Sequence, residues 1–137
     1  MAFKPEQYDN GRLVRLPATA SISFVKGNAL IAASGFYTNA AAGENLDIQY
    51  VAMETITSAA TDGATFVHAI RTKDVIMVAD TTTDPTRAQV GTKVDLGAAG
   101  SLDTAAVTDQ QFYVEDVLLP LTDRKVRGWF VGGLPNS

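Results

Sequence analysis

Apolar runs in this 137-residue chain are cut by glycine, proline or β-branched residues before any alanine cluster builds two turns of helical face. What survives between the interruptions alternates with a period of two, the period of a strand with one buried side. The segment "SISFV" (21–25) sets Ile22 and Phe24 on one side, and Lys26-Gly27-Asn28 follows as a turn. "ALIAASGFY" (29–37) reads as a strand in which Gly35 marks a bulge or bend ahead of Phe36 and Tyr37. "LDIQY" (46–50) sets Leu46, Ile48 and Tyr50 against Asp47 and Gln49, and is expected to run on through Val51 to Ile56. Phe66–Arg71 fits either a helix capped at Thr61 or Asp62 or a strand. The β-branched "DVIMVAD" (74–80), one Thr72-Lys73 connection away, favours a strand paired with it.

The stretch "VGTKVDLGAAGSLDTAA" (90–106) reads as two strands. Val90, Thr92, Val94 and Leu96 share a side, and Gly-Ala-Ala-Gly offers glycines for the positive-φ positions of a tight reversal. "QFYVEDVLL" (111–119) and "RKVRGWFVGG" (124–133) follow, with Phe112, Val114, Val126 and Phe130 as core positions. About nine short strands at roughly 8 to 14 residue spacing predict an all-β fold, a small β-sandwich or β-barrel. Before them, Pro5, the turn-like Asp9-Asn10-Gly11 and Pro17 exclude a long helix, so residues 1–18 are expected to form an extended N-terminal arm and residues 19–137 a single β-rich domain.

Composition removes several function classes. An apolar fraction of 46% with 19% charged residues is that of a chain that buries a core. Without cysteine there is no disulfide, thiolate nucleophile or cysteine-based zinc site. A net charge of −4 argues against nucleic acid, which demands a concentrated basic face. The first forty residues nevertheless carry four basic and two acidic side chains, against seven and thirteen in the remainder, so the arm is the electropositive part. Its residues lack the apolar core of a secretory signal, and no stretch approaches the ~18 consecutive apolar residues of a membrane span. Synthesis in the cytoplasm, with no membrane partner, is the expectation.

Reactive side chains are sparse. His68 is the single histidine, so a Ser-His-Asp set or a zinc site would have to be built around it alone. Asp74, Asp80, Asp84 and the pair Glu115-Asp116 could serve a hydrolase, but "DTTTDP" lacks the glycine and ligand density of a calcium loop. No glycine spacing matches a nucleotide loop. Among the aromatics, Trp129 stands next to the inward-reading Phe130 and is the best candidate for an exposed or subunit-facing position.

The order of a proline-containing arm (Ala2–Pro17), short strands broken by Ala-Gly loops (Lys26–Ile56), the Val-Gly-x-x-Val-x-Leu segment (Val90–Leu102) and a closing strand (Val126–Val131) resembles the small β-rich capsid decoration, or cement, proteins of tailed bacteriophages. Residues 60–88 have no counterpart in that pattern. The resemblance implies a virion structural protein on the outer head surface, bound to the major capsid protein at capsomer junctions, commonly as a homotrimer, with no catalytic residues and no cofactor. Capsid or subunit contacts would then fall on Lys4, Arg12 and Arg15 of the arm and on Tyr113 and Trp129, with the Val90–Leu96 strand near subunit contacts and the acidic loops in solvent. The alternatives are a carbohydrate-binding or hydrolytic β-sandwich using the aromatics with Glu115 and Asp116, or another virion part such as a head fibre base or joining protein.

Overall fold

The computed structural model describes residues 2–6, 13–42, 47–73 and 75–131, and these described residues form thirteen strands. They are β1 (Phe3–Pro5), β2 (Leu13–Pro17), β3 (Ser23–Phe24), β4 (Ala29–Ala33), β5 (Phe36–Asn39), β6 (Tyr50–Ala52), β7 (Ile56–Thr57), β8 (Phe66–Arg71), β9 (Met77–Asp80), β10 (Lys93–Ala98), β11 (Ser101–Asp103), β12 (Phe112–Val117) and β13 (Lys125–Phe130). Among the described residues the helical content is two 3-10 turns, Arg87–Gln89 and Leu121–Asp123. The all-β expectation holds.

A six-stranded antiparallel sheet has the order β1-β9-β13-β12-β10-β11, and a five-stranded one the order β2-β8-β6-β4-β5; β3 and β7 form a separate ribbon. Each large sheet curls far enough for one isolated bridge to span it. Thr81, just after β9, bridges Leu102 of β11, and Ala18, just after β2, bridges Tyr37 of β5. Curling in this way occupies backbone groups that a flat sheet would leave open to another chain.

The centre of the five-stranded sheet is buried on both faces. Ala29, Val51 and Ile70 face a core shared with the six-stranded sheet, whereas Leu30, Ala52 and Ala69 face a second core closed by Phe24 of the ribbon. Neighbouring residues with opposite orientations are therefore both apolar, which blurs the period-two signal along β4, β6 and β8.

Several expectations change here. Residues 2–6 and 13–18 are extended but do not project from the domain: β1 pairs with β9, β2 pairs with β8, and Phe3 is fully buried. Pro5 and Pro17 end edge strands, where a missing N–H costs no ladder bond. Gly35 marks no bulge. With Ser34 at φ 54° and Gly35 at φ 86°, it forms the two-residue turn of a β4–β5 hairpin, in which Ala33 opposes Phe36. The "LDIQY" strand begins only at Tyr50 and ends at Ala52, while Ile56 belongs to β7. Phe66–Arg71 is a strand, yet β8 and β9 do not pair; they lie in different sheets.

The reversal after β10 occurs where expected, with Ala98 opposite Ser101, but its glycines answer a need for space rather than for positive φ. A Cβ on Gly97 would lie 3.1 Å from Thr82 Cγ2, and one on Gly100 would lie 3.1 Å from Ala2 Cβ. The Val90–Leu96 segment cannot be a subunit contact along its length, because Val94, Asp95 and Leu96 are buried within the chain's own fold.

Asp95 explains how the 104–111 loop is held. Its carboxylate accepts the backbone N–H groups of Thr108 (3.0 Å), Asp109 (2.8 Å) and Gln110 (2.7 Å), while the Gln111 side-chain carbonyl accepts the Leu96 N–H at 2.9 Å. Asp95→Ala strands three donors around a buried site, and urea unfolding is expected to register a loss of about 3 kcal/mol. Asp95→Asn, which keeps an acceptor but sets an NH2 where one of the carboxylate oxygens stood, is expected to lie between the two. A change below about 0.5 kcal/mol for the alanine variant would show that the loop does not depend on this carboxylate.

Candidate functional site

Inward-facing residues of the six-stranded sheet build the core, so the opposite parity is left to make its outer face. The register sets Lys93 of β10, Tyr113 of β12 and Trp129 of β13 in one transverse row. Tyr113 and Trp129, both half-buried, stack with ring centroids 4.7 Å apart and planes inclined by 22°. Directly opposed aromatic side chains on one face gain both area and the offset stack.

The next row contains Asp116, Arg127, Val78 and Lys4 across β12, β13, β9 and β1. Ile76, immediately before β9, is 40% exposed, and its carbonyl accepts the Glu6 N–H at 2.9 Å. Tyr113, Trp129, Ile76 and Val78 thus share one side of the sheet, the parity opposite to the buried Phe112, Val114, Met77 and Ala79.

Charged pairs surround these side chains. Arg127 binds Glu6 (2.8 Å), Lys125 binds Asp80 (2.6 Å) and Arg87 binds Asp116 (2.8 Å). The Arg87 hydrogen bond, followed by the Val117 N–H, holds Asp116 below the usual carboxylate range. Lys4 and Lys93 are exposed at two sides of the face and make no ion pair among the described residues.

Of the expected contact residues, Lys4, Tyr113 and Trp129 therefore come together. Arg15 does not: it lies on β2 opposite His68, with its guanidinium 5.3 Å from the Phe66 ring centre. Arg12 lies outside the described residues. Lys93, Ile76 and Val78 were not singled out by the sequence, because they join the aromatics only through strand order.

His68 Nδ1 lies 3.0 Å from Glu54 Oε1, which also accepts the His68 backbone N–H at 2.8 Å. That backbone bond is the main reason the Glu54 carboxyl is held below its ordinary value. The carboxylates considered for hydrolysis are dispersed: Asp80 and Asp116 are paired as above, Asp84 binds Arg124 at 2.9 Å, Glu115 is exposed, and Asp74 lies outside the described residues. Among the described residues no three histidine or acidic side chains gather as metal ligands would. Comparison of the chain with protein-family models, with curated proteins and with solved structures found no match.

Proposed function

We propose that this protein is a virion structural protein that binds the outside of a tailed-phage head, with the outer face of its six-stranded sheet against the major capsid protein. The observation that carries the reading is the stacked Tyr113–Trp129 pair at the centre of a face bordered by ion pairs. An aromatic centre with a charged rim is the anatomy of a protein–protein interface, and Trp and Tyr are the side chains that most often dominate its energy. The curled sheets favour contact through side chains over strand addition. The resemblance in segment order to decoration proteins supplies the kind of partner, and placement at capsomer junctions as a homotrimer follows from it.

Cosedimentation with undecorated heads tests the reading. Trp129→Ala is expected to weaken binding by about thirtyfold, a loss of roughly 2 kcal/mol, while the far-ultraviolet dichroism stays unchanged. Absence of binding by the natural protein, or equal binding by the variant, would overturn it. Light scattering of the 14.5 kDa chain across a concentration series tests the trimer, and a strict monomer both in solution and on heads removes it.

A further inference from the structure

The ladder between β4 and β6 stops at Leu30 and Tyr50, although both chains continue. Thr72 is the cause. Its N–H binds the Gln49 carbonyl at 3.0 Å and its hydroxyl binds the Ile48 carbonyl at 2.8 Å, which draws residues 48–49 toward the end of β8 and sets Ile48 in the core. Where the two chains part, a groove of about 380 Å³ opens beside Ile31 and Ala32.

Its lining is chemically specific. Tyr37 and Tyr50 meet edge to face, with centroids 5.4 Å apart and planes at 87°. Asp47 and Gln49, on either side of the inward Ile48, are exposed, line the groove and make no side-chain hydrogen bond or ion pair among the described residues. Among the described residues of the lining, Asp47 is the one that carries a charge.

We propose that this groove binds one or two rings of a neutral saccharide. A sugar hydroxyl both donates and accepts, so it is matched by a set combining an acceptor-only carboxylate, an amide that does both, and phenols. The apolar C–H face of a pyranose fits against a tyrosine ring, and the volume is at the lower end of that of small-molecule sites. Burial, with Tyr50 adding to it, pushes the Tyr37 phenol up, so this hydroxyl stays protonated across the physiological range. A phosphate or carboxylate ligand would meet the repulsion of Asp47, while Arg71, opposite Tyr50 on β8, is already engaged. An amine would satisfy Asp47 yet leave the Gln49 amide without a function. The groove belongs to the five-stranded sheet and is independent of the head-binding face.

Amide chemical shifts of the intact protein, followed during titration with neutral mono- and disaccharides and with a charged series of amines and sialylated sugars, test the proposal. Saturable shifts confined to residues 30–32, 37 and 47–50 are expected for a neutral sugar only. Asp47→Ala and Gln49→Ala, both at exposed positions, should each weaken binding about tenfold, whereas Asp47→Asn, which keeps an acceptor, should stay within about threefold. Preference for an amine together with loss of binding in Asp47→Asn identifies a cation site and overturns the proposal. So does the absence of shifts with any neutral sugar, or affinity that neither alanine variant alters.

Discussion

Replacing Phe3 by alanine is expected to destabilise the isolated protein by about 4 kcal/mol and to lower its thermal midpoint by about 12–20 °C. Phe3 has no exposed surface, and its ring centre lies 4.9 Å from that of Phe130 and 6.2 Å from that of Phe112. Phe112 and Phe130 pack edge to face on each other at 5.1 Å, so the N-terminal strand supplies the third ring of a cluster spanning β1, β12 and β13. Truncation removes both buried area and two aromatic contacts. β1 is a three-residue edge strand laddered to β9, with the Phe3 N–H bonded to the Gly27 carbonyl at 3.0 Å, so its backbone bonds offer little to hold it once the ring is gone. Phe3→Leu, which refills much of the volume, should cost about 1–2 kcal/mol. An arm that ordered only on a neighbour or a capsid would give the opposite result: a midpoint unchanged to within about 2 °C at high dilution. That result would show that β1 does not belong to the fold of its own chain. For the same reason, loss of head binding after deletion of residues 2–17 would not identify a docking arm, since the deletion also removes an edge strand from each large sheet.

Local alternation was readable where a strand faces one core. Phe112, Val114, Val126 and Phe130 are all buried, and their outward neighbours Tyr113 and Trp129 occupy the opposite parity. It was unreadable where a sheet has two buried faces: Ala29 and Leu30 are adjacent, both inaccessible, and belong to different cores. Sheet membership is likewise non-local. Nothing within Phe66–Arg71 or Met77–Asp80 says that they separate, since the separation depends on partners as distant as Leu13–Pro17 and Lys125–Phe130. The N-terminal prolines correctly indicated extended backbone, but an extended segment shows the same composition whether it pairs with its own chain or with another. The candidate face shares this division. The aromatic centre follows from residue type and parity, whereas Ile76, Val78, Lys93 and the Arg127–Glu6 pair join it only through strand order and register.

Gly128→Ala should be the most damaging single methyl group that can be added to this sheet, with an expected loss of about 4 kcal/mol or more and recovery mainly as aggregated protein. Gly128 lies in β13 between Val114 of β12 and Met77 of β9, beside the register shift that separates Val114 from Asp116. A Cβ there would fall on the Tyr113 carbonyl oxygen, 3.0 Å from the Tyr113 carbonyl carbon and 2.8 Å from Phe112 Cε1. The obstacle is mostly backbone, so no rotamer change relieves it; β12 and β13 must move apart, taking the ladder with them. Gly91→Ala is the control, because Gly91 has φ 84° but nothing within 4 Å of its added Cβ. It carries conformational strain alone and should lose about 1 kcal/mol. Any folded Gly128→Ala protein should also lose near-ultraviolet dichroism from Trp129, since the displaced strands carry the two stacked rings. A midpoint within about 3 °C of the natural protein, with the Trp129 signal intact, would mean that β12 and β13 do not approach as closely as this contact requires.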